Sequence, residues 1–422
     1  MRASTTWRAV LSEFHMKSHI VMAMCLWLGV SAAHAQDKQH TTTVTLTHAV
    51  DSAWERAVVA KEVSGQLRRA DADKSAAQRL WAKPPSLQYS QRDNRHQTDT
   101  GLKETEVAVV WPVWLWGQRN AQNALAASAL NKADHNAQFV RLQIATAVRE
   151  SIWLLKEAEA EYNEAVLLTE TLTRLAEDVD RRVNVGDLAR ADSMVAHGER
   201  LAALVLQSES SQKLSTARAR WLNLTGLSTP LSTEAAAEQP SSLKSATEHP
   251  EVLLAIQSAD EAKKKLELAE ASNRESPEFK LGMRQDISAR NQPSQSSLTV
   301  GFRLPLGTGD RNRPLLAAAL TDVEVAEIQE QRTRERIASE YELAKQALTI
   351  GQQQLQSAKQ RADLLNERTA LIERSFKAGE TSLPDYLRAV SLSFQAQTAY
   401  LRQISKTHLA TARFNQSLGV TP

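Results

Sequence analysis

Two stretches of the chain place apolar residues at alternating steps of four and three. In the first, Ile144, Val148, Ser151, Leu155, Ala158, Tyr162, Ala165, Thr169, Leu172, Ala176, Val179 and Val183 hold this spacing without a break. In the second, Ile337, Tyr341, Ala344, Leu348, Gly351, Leu355, Ala358, Ala362, Leu365, Thr369, Ile372 and Phe376 hold it at an offset of 193 residues. A seven-residue period sustained this far predicts helices that keep one seam against a partner and supercoil left-handed. Long helices are predicted over about 119–183 and 313–376. The first is on the order of 98 Å if wholly helical, more than a compact domain holds. Pro314, beside the capping residue Asn312, suits a first turn. Gly186 and Gly379 end the long helices as C-terminal glycines do. Return helices over about 188–224 and 383–418 then fold back to make two hairpins.

Before each long helix the period changes to two. Val107, Val109, Trp111, Val113 and Leu115 alternate with Glu106, Ala108, Val110, Pro112 and Trp114. Leu298, Val300, Phe302, Leu304 and Leu306 alternate with Ser297, Thr299, Gly301, Arg303 and Pro305. Weaker alternation precedes each run, so four strands are predicted over about 86–94, 104–115, 278–287 and 297–306. Strands of about ten residues, apolar on one face and polar on the other, suit an outer-membrane barrel, with Trp111, Trp114 and Trp116 as an aromatic girdle. Periodicity alone suits a soluble sheet packed on the helices equally well. If the strands do form a barrel, four are too few to close one; three protomers would supply twelve and remove the open edges.

The layout is duplicated. Asn184-Val185-Gly186-Asp187 followed by Asp192 recurs as Lys377-Ala378-Gly379-Glu380 followed by Asp385, again at 193. Each copy opens with a helix, about 46–82 and 251–273. Residues 36–227 form the first structural repeat and 250–422 the second. Residues 228–249, rich in Ser, Thr, Ala, Glu and Pro, form the linker.

Composition narrows the class. Among 422 residues, 51 are Lys or Arg and 49 Asp or Glu, a formal charge of +2 with no concentrated basic face, so nucleic acid is not a partner. Gly 14 and Pro 12 are low for this length, in keeping with long helices. A mean hydropathy of −0.40 excludes a bundle of membrane helices but not a membrane barrel. Ile20 to Val30 is an apolar run of signal-peptide length, followed by Ala33 and Ala35 at a cleavage site, so residues 1–35 read as an export signal. Met16-Lys17 offers a second start. Cys25, the single cysteine, lies in that apolar run behind Met24, which does not suit lipidation; the exported chain then has no thiol.

Enzyme chemistry finds no support. The histidines beyond the leader (His40, His48, His96, His135, His197, His249 and His408) are scattered without metal-ligand spacing, and no phosphate loop or nucleophile elbow occurs. No cofactor or metal is expected. A coiled-coil structural or adhesion protein of the envelope would share the heptads but has no use for duplicated strand pairs.

The stretch Leu298 to Ala319 (LTVGFRLPLGTGDRNRPLLAAA), the tip segment Phe376 to Leu392 (FKAGETSLPDYLRAVSL) and the terminal Ser417-Leu418-Gly419 resemble TolC-like outer-membrane efflux proteins. The resemblance implies a mainly α fold with membrane β-strands, trimerising into a twelve-stranded β-barrel in the outer membrane. A periplasmic α-helical barrel continues it. It also implies a passive conduit in a tripartite pump of a Gram-negative bacterium, with a periplasmic adaptor, an inner-membrane pump such as an RND transporter, and outer-membrane lipid as partners. The heavy-metal cation efflux branch is nearest in mature length. Asp385 matches the first of two tip acids that narrow the pore in some members, and Asp192 is its repeat equivalent; Arg388 and Val195 occupy the second position. Gly186, Asp187, Leu188, Gly379, Ser382 and Leu383 are expected at exposed hairpin tips that meet the adaptor.

Overall fold

The computed structural model describes residues 45–94, 96, 100–241, 248–272, 274–306 and 309–422. The expected export signal, its cleavage site and Cys25 lie outside the described residues. The helices are α1 (Leu46–Arg56), α2 (Val58–Ala77), α3 (Gln118–Asn184), α4 (Arg190–Thr225), α5 (Thr233–Ala236), α6 (Pro250–Ala271), α7 (Gly309–Lys377) and α8 (Leu383–Ser417). The strands are β1 (Ser86–Asp93), β2 (Lys103–Pro112), β3 (Glu278–Ile287) and β4 (Gln295–Arg303). Among the described residues no helix is long and apolar enough to cross a membrane.

The heptad seams explain the helices. Nine of the twelve seam positions on α3 are buried, while Ser151, Tyr162 and Val183 are half-buried. The matching seam on α7 is more open, because α3 has neighbours on both flanks and α7 lies at an edge. Toward the sheet, α3 runs between α2 and α6, and α7 lies against α6; toward the tips, α3 runs between α4 and α8, and α7 lies against α8. The order is thus α2-α3-α6-α7 in one half and α4-α3-α8-α7 in the other. At 67 and 69 residues, α3 and α7 run through both halves, on the order of 100 Å.

The core has two centres. Midway along α3, Ile144, Val148, Ile152, Trp153 and Leu155 pack with α1, with Leu214 and Trp221 of α4, and with Leu231 and Ala236. Near the tips, Leu172, Leu175, Ala176 and Val179 pack with Phe376, Leu383, Tyr386, Leu387 and Val390. The inter-repeat segment is therefore no loose spacer up to residue 241. Leu231 and Ala236 are fully buried, and Glu238 is tied to α3.

Four elements differ from the sequence reading. The expected first helix of 46–82 is broken at Ala57, whose φ of −68° and ψ of 129° are extended, and α2 stops at Ala77. Strand β2 ends at Pro112 and β4 at Arg303, short of 115 and 306: past Pro112 the Val113 N–H still donates to the Pro277 carbonyl at 2.7 Å, but Pro277 and Pro305 have no N–H for the ladder. Helix α7 starts at Gly309, so Pro314 falls in its second turn and forgoes one backbone bond.

Candidate functional site

The strands form one antiparallel meander, β1-β2-β3-β4, and register decides what each face carries. Residues directly opposite in antiparallel pairs share a face. Leu87, Val109, Leu281 and Val300 make one row across the sheet, and Tyr89, Val107, Met283 and Leu298 the next. Trp111, Phe279 and Phe302 make a third. These rows stand in the open: Leu298 is 70% and Met283 65% exposed.

The opposite face is ionic. Lys280 Nζ lies 2.8 Å from Glu106, Arg284 Nη2 2.9 Å from Glu104, and Arg284 Nε 2.7 Å from Asp286. A water-soluble sheet exposes its polar face and buries its apolar one. This sheet keeps its charges paired with each other, and among the described residues nothing covers its apolar face. Its outer strands, β1 and β4, each have one unpaired edge.

The three expected girdle tryptophans are placed differently from one another. Trp111 is half-buried in an aromatic row, its ring 6.4 Å from Trp81 and 6.1 Å from Phe279. Trp114 lies past the strand end, where Nε1 donates to the Arg79 carbonyl at 3.2 Å. Trp116 is 100% exposed. Trp81, in the loop after α2, belongs with them and was missed, having no periodicity around it.

At the far end, the hairpin turns carry Gly186 at φ +83° and Gly379 at φ +80°. No atom lies within 4 Å of where a Cβ would sit on either, so conformation and not space requires glycine there. The Asp187 N–H donates to the Arg182 carbonyl (2.8 Å) and the Glu380 N–H to the Ser375 carbonyl (3.0 Å), the same closure in both repeats.

Asp192 and Asp385 fall one turn further on, each as a cap. Asp192 Oδ2 accepts from the Ala189 N–H at 3.2 Å. Asp385 Oδ2 accepts from the Ser382 hydroxyl at 2.6 Å, and Ser382 Oγ accepts the Asp385 N–H at 3.4 Å. Asp385 remains exposed and Asp192 half-buried. Leu383 corrects an expectation: it is 2% exposed, packed into the tip core, because the first turn of α8 faces α7 and α3. Leu188 is half-buried beside the same cluster, whereas Asp187 and Ser382 are exposed.

Behind the turns the two hairpins touch. The Arg182 guanidinium of α3 lies 5.0 Å over the Phe376 ring of α7, and Phe376 stacks on Tyr386 at 5.2 Å. The Tyr386 hydroxyl is pushed up to about 12, chiefly by burial and further by Glu373. In the first hairpin Val183 and Ser193 stand at the positions of Phe376 and Tyr386, and Asp180 gathers the polar contacts. It accepts from Ser193 (2.6 Å) and lies 2.9 Å from His197, and these contacts hold its carboxyl below the usual range. Midway along the helices, Arg149 binds Glu238 and the chain's C-terminal segment, and Trp153 stacks on His408 at 4.5 Å. Among the described residues no group of three or more His, Cys, Asp or Glu converges as metal ligands would.

No protein-family model matches the chain. The cobalt-zinc-cadmium resistance protein CzcC of Cupriavidus metallidurans is 24% identical over 350 residues, 79% of this chain and 81% of the relative. Among solved structures, CusC, described as forming a transmembrane channel, superposes with a TM-score of 0.74 at 13% identity, covering 89% of this chain and 92% of that one. The open-state MtrE outer membrane channel of Neisseria gonorrhoeae gives 0.72 at 14%, covering 89% of each. The CmeC outer membrane channel of Campylobacter jejuni gives 0.71 at 14%, covering 89% and 85%. The fold is that of the TolC-like outer-membrane channels.

Proposed function

We infer that this chain, a TolC-like outer-membrane channel by its fold, is the duct of a tripartite efflux system, conducting cargo passively across the periplasm and outer membrane. The observation that carries the reading is the two-faced sheet. Three rows of apolar side chains, exposed except for the half-buried Val109 and Trp111, back onto a face of paired charges, as lipid outside and water inside require.

Unpartnered edges argue for closure by copies of the same chain. Strands β1 and β4 end the sheet, and α7 ends the helical layer with Leu343, Ile350, Leu364 and Leu371 exposed along a seven-residue period. On α4, at the opposite edge of the tip half, Met194, Leu201 and Val205 are exposed. Three protomers give twelve strands and join α7 of each to α4 of the next, the homotrimer this reading requires.

The hairpin turns then face the inner membrane. Gly186, Asp187, Gly379 and Ser382, with the half-buried Leu188, are the proposed adaptor contacts, and an inner-membrane pump is the proposed source of cargo. Threefold copies of Asp192 and Asp385 would place six carboxylates around the axis, where mutual repulsion favours bound cations or an opened state. Conductance of Asp385→Ala tests this: unchanged cation block would refute the aperture. The likeness to a cobalt-zinc-cadmium resistance protein makes divalent metal cations the first cargo to try.

Fractionation followed by gels run with and without heating tests the whole proposal. A heat-modifiable trimer in the outer membrane is expected, with loss of the chain sensitising cells to these metals. A soluble filament would support an envelope coiled-coil protein instead.

A further inference from the structure

We propose that the helix-side end of the sheet forms a collar that binds anionic phospholipid headgroups of the inner leaflet of the outer membrane. This rests on the reading above that the apolar sheet face meets lipid.

The apolar surface does not stop where the ladder does. Leu304 and Leu306 beyond β4, with Trp81 and Trp116 beside β2, are all exposed and extend it toward the helices. Immediately beyond stand Arg79, Lys83, Arg119 and Arg274, all exposed, and none of the four forms an ion pair with a described residue. The Trp114 indole N–H binds the Arg79 carbonyl at 3.2 Å, and Arg119 Nη2 donates to the Gln78 carbonyl at 2.9 Å. The Trp114 indole, Arg79 and the Arg119 guanidinium are thereby held together at one level.

The hairpin end of the same strands is built differently. Arg92 and Arg284 both face Glu104, Arg284 also binds Asp286, and no tryptophan occurs there. The apolar face itself turns polar toward that end, in the row of Gln91, Thr105, Gln285 and Ser296.

Tryptophan favours the headgroup level of a bilayer, and free Lys and Arg beside it are attracted to anionic lipid. The helix end of the strands continues into helices on the order of 100 Å long, which stand in the periplasm if the sheet spans the outer membrane. The leaflet met at the collar is therefore the periplasmic one, whose phosphates belong to glycerophospholipid; the phosphates of lipid A lie in the opposite leaflet.

The test uses the full chain reconstituted into vesicles of phosphatidylcholine mixed with phosphatidylglycerol, extracted in mild detergent, with retained lipids counted by mass spectrometry. Phosphatidylglycerol is expected to be retained several-fold over phosphatidylcholine at low salt and to lose that preference in high salt. Each cation near a charged surface is worth about fivefold. Arg79→Gln with Lys83→Gln and Arg119→Gln should therefore bring the preference close to parity, while Lys103→Gln at the hairpin end leaves it unchanged. Equal retention of the two lipids by the unaltered chain at low salt overturns the collar. Stronger retention of lipid A than of phosphatidylglycerol, in vesicles holding both, overturns its sidedness. A chain that inserts into no vesicle overturns the channel reading and the collar with it.

Discussion

Replacing Arg149 by methionine removes a guanidinium that is 1% exposed and fastens three parts of the chain at once. Nε and Nη2 grip both carboxylate oxygens of Glu238 at 2.9 and 2.6 Å, Nη1 reaches Gln416 Oε1 at 2.9 Å, and Nη2 reaches the Val420 carbonyl at 3.0 Å. Methionine keeps most of the volume and none of the donors. Glu238, whose side chain is 13% exposed, would then hold a nearly buried charge without a counter-ion. Breaking such a pair from one side costs about 3–5 kcal/mol. Glu238 lies near the surface and can partly re-solvate, which places the expected loss near the lower figure. Exchanging both partners for apolar residues removes the stranded charge, so Arg149→Met with Glu238→Leu should recover at least about 2 kcal/mol of that loss. Denaturant unfolding in detergent micelles, followed by circular dichroism, measures both values. Hydrogen exchange should show residues 231–241 and 415–422 loosening together in the single variant. A single-variant loss below about 1 kcal/mol, or a double variant no better than the single, would refute the clasp.

Three further outcomes follow from the same geometry. Leu281, flanked on the apolar face by Val109 and Val300, should tolerate no charge. Leu281→Arg is expected to cost about 2–4 kcal/mol and deplete the heat-modifiable species, whereas Lys280→Gln on the ionic face should leave assembly intact; equal effects would contradict the assigned faces. Gly379→Ala should cost about 1 kcal/mol in thermal unfolding, since φ is +80° and nothing crowds the Cβ, and a stabilised variant would show that the turn is not left-handed. Below neutral pH the middle of the molecule should weaken. His249 Nδ1 accepts the Glu251 N–H and Nε2 faces the Gln416 carbonyl, both at 3.2 Å, an arrangement that the neutral ring satisfies with Nε2 as donor. Burial lowers the pKa of His249, and likewise of His408, so the folded chain refuses protons that the unfolded chain takes up. Stability is thus complete above the ordinary histidine pKa of 6.5 and falls as pH drops through it toward the depressed folded values. His249→Gln with His408→Gln should flatten a melting-temperature profile measured between about pH 8 and 5; an unchanged slope would exclude these two groups as its source.

What was legible in the sequence depended on how many residues shared one signal. Twelve positions in step specified each long helix, and about five specified each stronger strand. Boundaries set by one residue were less well read: alternation ran on through Pro112 and Pro305, although neither can donate to a ladder. The break at Ala57 has no local sign. The bend lets α1 contact α3 and α4 while α2 runs along α3, a tertiary requirement without glycine or proline to mark it. The tip glycines were readable because positive φ has few alternatives, but the burial of Leu383 depends on which way the first turn of α8 faces. Arg149 did leave a trace, a lone charge on an arc otherwise formed by Leu142, Ala145 and Ile152. Its partners lie 89, 267 and 271 residues away, too far for any spacing argument.

The duplication is closest where the helices turn and loosest along their flanks, and that difference bears on assembly. At an offset of 193, Glu150, Glu157 and Glu161 of α3 become Leu343, Ile350 and Gln354 of α7. The α3 acids have cations on their own chain: Arg413 lies 3.0 Å from Glu150, Arg402 binds Glu161, and Lys213 lies 3.4 Å from Glu161. Even with Arg402 and Lys406 nearby, burial and the neighbouring Glu161 charge hold the Glu157 carboxyl above its usual range. An acidic flank is therefore stable on α3 because α4 and α8 supply counter-charge within the protomer. Helix α7 has α8 on one flank and, among the described residues, no helix on the other, and there the sequence has exchanged acids for leucine and isoleucine, left exposed. Two copies of one unit, given the same chain direction and the same turns, have diverged where one copy meets its own protomer and the other meets open space. An apolar flank at an open edge has a physical reason if another protomer covers it. The sheet repeats the argument, since β1 and β4 leave ladder groups unpaired at the two ends of a face already built for lipid, where an unpaired backbone group is most costly.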